Sequence, residues 1–183
     1  FVQDPVEPNL MFVGTELGLY VSIDGGKAWT KWTNGYPTVS TYDMVIHPRE
    51  HDLVIGTFGR AFWVLDDIRP LRDLAKNGAD ELEKAIRVYA APDAYQAEWR
   101  QARGMRFSAD GVFSGDNRPG GARLTYSVNS EMLKKDGDEK GKSSDKMEKV
   151  TVEVFDMSGE KIRTFERTPE HDGINRTSWG MDR

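Results

Sequence analysis

The sequence holds no cysteine, which removes disulfide scaffolds, zinc ribbons and thiol nucleophiles together. It has no run near the roughly 18 to 20 consecutive apolar residues that a membrane-spanning helix needs. Positive charge is not in excess either. The 25 Lys and Arg stand against 30 Asp and Glu, for a net charge of −5 and a pI near 5.3. That balance argues against gripping nucleic acid phosphates by bulk charge. What remains is a polar, surface-rich chain of 183 residues, 38% hydrophobic and 30% charged, with a mean hydropathy of −0.63. This length suits one ordinary domain or two small ones.

The first 66 residues consist of short apolar runs: Leu10-Met11-Phe12-Val13, Leu19-Tyr20-Val21-Ser22-Ile23, Met44-Val45-Ile46, Leu53-Val54-Ile55 and Phe62-Trp63-Val64-Leu65. Gly, Pro, Asn and Asp punctuate them at the intervals of an all-β domain. Two of the runs repeat. Leu10-Met11-Phe12-Val13-Gly14-Thr15 returns 42 positions on as Asp52-Leu53-Val54-Ile55-Gly56-Thr57, and at the same offset Tyr20–Asp24 matches Phe62–Asp66. Short strands with a period near 42 fall within the range of four-stranded propeller blades. Each Gly-Thr is expected where a strand ends and turns, with Gly supplying a positive φ. A propeller closes with about four to eight blades, so two copies predict a piece of a larger protein. The opening Phe1-Val2-Gln3, with no basic-then-apolar segment behind it, places any export signal upstream.

After Asp66 the pattern changes. Leu71, Leu74, Leu82 and Ile86, with Asn77-Gly78 between, predict two short helical turns over 68–74 and 79–88. Residues 89–105, with Pro92, Tyr95 and Trp99, predict an extended connector. A second β-rich region begins near Met105. Arg123-Leu124-Thr125-Tyr126-Ser127-Val128 and Val150-Thr151-Val152-Glu153-Val154-Phe155 alternate as half-buried strands. Asp156-Met157-Ser158-Gly159 turns the chain into Lys161-Ile162-Arg163-Thr164-Phe165. Residues 134–149 carry six Lys, five Asp or Glu and a single apolar residue, Met147, and predict a mobile loop.

The most specific motif is Ser22-Ile23-Asp24-Gly25-Gly26-Lys27-Ala28-Trp29, an S-x-D-x-G-x-x-W pattern. Ser22 and Asp24 oxygens can accept backbone N–H bonds inside a turn, Gly26 permits a left-handed residue, and Trp29 can fold back over the hairpin. The pattern resembles the Asp-box of BNR-repeat propellers, found in sialidases, the sortilin ectodomain and xyloglucanase-like enzymes. The stretch from Pro8 to Ser22 is similar to a late blade of bacterial, glycosyl-hydrolase-like BNR proteins, and His47-Pro48-Arg49 through Asp67 is similar to their closing blade. Val150 to Phe165, then Gly173-Ile174-Asn175-Arg176-Thr177-Ser178-Trp179, resembles the Ig-like domain that follows such propellers, in the style of hook-cap and secretion-tail modules. Gly180 stands where that family has an acid.

The resemblance implies an all-β chain: final blades of a BNR propeller over 1–75, with the Asp-box at 22–29, a short helical connector over 76–105, and an incomplete Ig-like β-sandwich over 106–183. It implies a structural role for Ser22, Asp24, Gly26 and Trp29, an extracellular or periplasmic setting, and the remaining blades of a parent chain as partners. Glu16 and Arg60, at corresponding corners of the two repeats, are the candidates for facing a shared central channel.

Other sites fail on chemistry. His47 and His51 are four apart, but Pro48 intervenes and no Glu follows the first, so they do not form a zincin helix. Gly25-Gly26-Lys27 lacks the flanking residues of a phosphate loop. Asp136-Gly137-Asp138-Glu139-Lys140-Gly141 opens like a calcium loop but has Lys140 and Met147 at ligand positions. Asn175-Arg176-Thr177 fits a glycosylation pattern only for a eukaryotic secretory host. No metal and no cofactor is expected. A glycosidase needs two carboxylates about 5 to 9.5 Å apart. The candidate acids of the first region are Glu16, Asp43, Asp66 and Asp67, and the adjacent Asp66-Asp67 suit a turn and a helix start better than a catalytic pair. The expected function is therefore non-catalytic binding of a carbohydrate or protein ligand, without nucleic acid or membrane span. The alternatives are a glycoside hydrolase whose carboxylates lie on other blades, and a purely architectural module.

Overall fold

A computed structural model describes residues 1–95, 118–136 and 147–182. Among the described residues the chain is β-rich, with two short α-helices and one 3₁₀ turn. The first sheet has the order β1 (Val2–Gln3), β2 (Met11–Thr15), β3 (Gly18–Ser22), β4 (Thr30–Lys31), and the second β5 (Thr41–Ile46), β6 (Leu53–Thr57), β7 (Phe62–Leu65), all antiparallel. They share one core with helix α1 (Arg69–Asn77). Pro70 opens that helix, where its missing N–H costs nothing. Gly78, at φ 101°, ends it and donates its N–H to Leu74 O at 2.8 Å. Leu71, Leu74 and Ala75 turn inward, each leucine contributing about 1.5–3 kcal/mol by burial. A 3₁₀ turn follows over Ala79–Glu83.

The repeat is real in the structure, but its period slips. Val13 pairs with Tyr20 in the first sheet, and Ile55 with Trp63 in the second. Val13 to Ile55 is 42 positions, Tyr20 to Trp63 is 43. The β2–β3 turn holds two residues, Glu16 and Leu17, whereas Phe58, Gly59 and Arg60 lie inside the Thr57–Ala61 backbone bond of the β6–β7 turn. The counterpart of Asp24 is thus Asp67, not Asp66. Gly14 and Gly56 also depart from the sequence expectation. Both lie inside strands and neither has a positive φ; Gly18 and Gly59 do the turning, at φ 122° and 78°. Gly14 is needed for a different reason. A Cβ there would stand 2.6 Å from Thr41 Cγ2, so its absence lets β5 come close.

The two sheets stack head to tail. Residues directly across a ladder share a face. In the first sheet the core face carries Phe12, Leu19 and Val21; in the second it carries Met44, Ile46, Leu53 and Ile55. In repeat positions Phe12 corresponds to Val54, not to Leu53 or Ile55. Opposite faces of the repeating unit therefore meet, whereas a two-fold sandwich would bury the same face twice.

The second region is a three-stranded sheet ordered β12 (Gly173–Trp179), β9 (Ala122–Val128), β8 (Ile86–Val88), plus a separate hairpin of β10 (Val150–Phe155) and β11 (Lys161–Arg167). Residues 86–88, expected as helical connector, form a strand because Ile86, Arg87 and Val88 complete the ladder of β9. Arg87 pairs with Asp73 of α1 and with Glu81, joining this strand to the first region. Helix α2 (Ser130–Asp136) takes up the first residues of the expected loop at 134–149. Residues 137–146 of that loop, and the expected start of the second region at 106–117, lie outside the described residues. Among the described residues no helix is long and apolar enough to cross a membrane.

Candidate functional site

The Ser22–Trp29 turn is held by its own side chains. Ser22 Oγ donates to Asp24 Oδ1 at 2.7 Å and accepts from Gly26 N at 2.9 Å. Asp24 Oδ1 also accepts from Lys27 N at 2.9 Å and Ala28 N at 3.0 Å. Gly26 sits at φ 88°, and Trp29 Nε1 donates to Gly26 O at 3.1 Å. The Ala28 amide and the Ser22 hydroxyl, with Lys27 behind them, hold the Asp24 carboxyl below its ordinary range. A general acid needs the opposite shift. Asp24→Ala removes these acceptors at once and should lower the melting temperature, while Asp24→Asn, which keeps one acceptor, should lower it less; thermal unfolding followed by circular dichroism checks both.

This turn stands on the rim of a cleft of about 880 Å³ between the first sheet, α1 and the 170–176 segment. Its wall is apolar: Val21, Trp32, Leu65, Leu71, Leu74 and Ile174. Polar groups ring it, among them Asp24, Asp67, His171 and Arg176. Asp67 is nearly buried and pairs with Arg69 at 2.6 Å, so two of the three carboxylates that line the cleft, Asp24 and Asp67, are already engaged by donors; Glu170 is the third. Arg176 donates to the carbonyl oxygens of Asp66 and Asp67, the latter at 2.6 Å. Burial, then the nearby Arg123 guanidinium, pulls the Arg176 pKa down.

Glu16 and Arg60 do not line this cleft. Each is exposed at the tip of its own hairpin, Glu16 between β2 and β3 and Arg60 between β6 and β7. The paired threonines close those tips, Thr15 Oγ1 on Gly18 O at 3.0 Å and Thr57 Oγ1 on Ala61 O at 2.7 Å. Asp43 accepts its neighbour's amide, Met44 N, at 2.8 Å. Asp66 receives Arg123 at 3.2 Å, and Arg118 reaches Asp52, Glu50 and Asp66. Tyr36 is buried with its hydroxyl 2.6 Å from Thr41 Oγ1, and Tyr42 stacks on Phe58. Among the described residues no group of three or more His, Asp or Glu is placed to hold a metal ion.

One buried network has no signal in the sequence. Asp4 and Arg72 form a forked ion pair, with Nη2 to Oδ2 at 2.8 Å, and Arg72 Nη1 lies 2.9 Å from His51 Nδ1. A guanidinium only donates, so His51 Nδ1 is the acceptor and the ring is neutral there. Burial lowers the His51 pKa from 6.5, and Arg72 and Arg69 add to this against the opposing Asp67 and Asp4. Its folded value lies below the unfolded one. The neutral ring therefore contributes stability that is complete above about pH 6.5 and lost as the pH falls through the folded value. Urea midpoints measured across pH 7.5 to 5 should fall for the wild type on this account. The His51 share should vanish in His51→Asn, which keeps an acceptor and tolerates the φ of 59° at this position.

No family model, no curated protein and no solved structure matches this chain.

Proposed function

We propose that the chain is a ligand-binding part of a BNR-type propeller protein of the cell envelope or the secreted set. In this reading its two repeats are successive blades, Ser22, Asp24, Gly26 and Trp29 are a structural Asp-box, and the β8–β12 region is an Ig-like companion. The head-to-tail stacking of the repeats supports it, as does the self-bonded S-x-D-x-G-x-x-W turn placed directly after the third strand of its sheet. Glu16 and Arg60 are then the candidates for facing a shared central channel, and neither is assigned to catalysis.

The observation that carries a binding role is the cleft. It has the size of a ligand site, which is about 300–1,000 Å³, and a wall built from Trp32, Leu71, Leu74 and Ile174. Such a wall suits the apolar side chains of a protein segment. A sugar would find one aromatic platform, Trp32, and would not find the Asn175 side chain, which is spent on the backbone of residues 170–173. Chemical-shift perturbation with short apolar peptides and with oligosaccharides separates the two. Peptides should move the Trp32 indole and Ile174 methyl signals, and Trp32→Ala should weaken their binding at least tenfold. Perturbation of Trp32 by oligosaccharides alone, or their hydrolysis by the chain, would replace this reading with the glycosidase one.

A further inference from the structure

The face of the second sheet that points away from the core is the repeat counterpart of a face already covered. Val54 corresponds to Phe12, which is fully buried against the second sheet, and Gly56 to Gly14, which admits Thr41. At Gly56 the same room stands open: a Cβ there would meet nothing nearer than 3.7 Å. Around it Val45, Val54 and Val64 lie directly across three strands. Val45 is 59% exposed, Val64 54% and Phe62 80%. Three aligned valines and an open phenylalanine form an apolar patch with no function in this chain's own core.

The chain also carries the other half of such a contact. The outward face of the first sheet presents Met11, Val13 and Tyr20, all half-buried, with Lys31 paired beside Tyr20. Asp43, paired beside Gly56, lies on the second sheet's outward face, so the two faces match in charge as well as in apolar character. We propose that the outward face of the β5–β7 sheet binds the outward face of the β1–β4 sheet of a second copy of this chain, continuing the head-to-tail stack that the two sheets form within one copy. The contact is heterologous, so it propagates instead of closing as a two-fold dimer. It rests on the stacking of the sheets and on no property of the cleft.

Sedimentation of the purified chain tests it. The wild type should show masses that rise with concentration in multiples of 20.7 kDa. Val54→Glu blocks one face and Val13→Glu the other, and each variant alone should stay monomeric. An equimolar mixture should give a one-to-one dimer and nothing larger, because each variant retains the face the other has lost. Circular dichroism melting verifies that both variants fold; if the half-buried Val13 does not tolerate Glu, Tyr20→Lys blocks the same face. A wild type that stays monomeric, a Val54→Glu chain that still assembles, or a mixture that remains monomeric overturns the proposal. So does a Val13→Glu chain that still forms dimers, since that is the mark of a two-fold contact through the valine face alone.

Discussion

Arg72→Met should lower the stability of the protein by about 3–5 kcal/mol, the range for removing one partner of a buried ion pair. The Asp4 side chain has no exposure and that of Arg72 only 10%. The guanidinium gives Nε and Nη2 to both carboxylate oxygens at 2.8–3.0 Å. Asp4 also accepts the amides of Val6 and Glu7, which fixes the turn after β1. Without Arg72 the carboxylate keeps those two amides but loses its only charge partner among the described residues. The double variant Asp4→Leu/Arg72→Met removes both charges and should recover a large part of the loss, because an apolar replacement of a whole buried pair is often neutral. Urea midpoints of the two singles and the double give the coupling directly. A single variant within about 0.5 kcal/mol of wild type would mean that water reaches the pair.

Gly14→Val should cost about 1–3 kcal/mol, the usual penalty for overpacking, and Gly56→Val almost nothing. The two glycines hold the same place in the repeat but meet different surroundings. At position 14 a new Cβ would collide with Thr41, with Cγ2 at 2.6 Å and the backbone oxygen at 2.9 Å. Neither atom can withdraw without moving β5. At position 56 the space is open, and a β-branched residue suits an extended strand. Thermal melts at low protein concentration compare the pair. Equal losses at both positions would mean that the sheets are spaced alike on both sides, against the stacking described above.

The short strands were legible because alternation and turn residues act locally. Val150, Val152 and Val154 read as one face and form one. The Ser22–Trp29 turn was legible for the same reason, since all its bonds fall within a few residues. The phase slip was not. One extra residue in the β6–β7 turn changes no composition, yet it carries every later position of the repeat one place on and makes Asp67, not Asp66, the partner of Asp24 in the pattern. The strand at 86–88 was hidden because its ladder partner in β9 lies near residue 127, and alone it looks like the end of a helix. Asp4 and Arg72 are 68 positions apart, and neither has a neighbour that announces a buried charge. Arg72 directly follows the inward-facing Leu71 and is itself buried. The cleft was missed altogether, because its wall comes from three separate stretches whose apolar residues each read as ordinary core.

The two regions are joined mostly through guanidinium groups. Arg118 and Arg123 reach Glu50, Asp52 and Asp66, and Arg176 holds two carbonyl oxygens, while Ile174 gives an apolar foothold on the first core. Because Asp66 serves both Arg118 and Arg123, the loss of one bond leaves the other in place. Such a joint behaves as a spring whose stiffness is set by the electrolyte. At physiological ionic strength charges are screened over about 8 Å, and more strongly as salt rises, so the bonded arginines hold while the longer-range pull between the regions fades. The cleft between them should therefore open more easily in brine than in dilute solution, with each region's own fold unchanged.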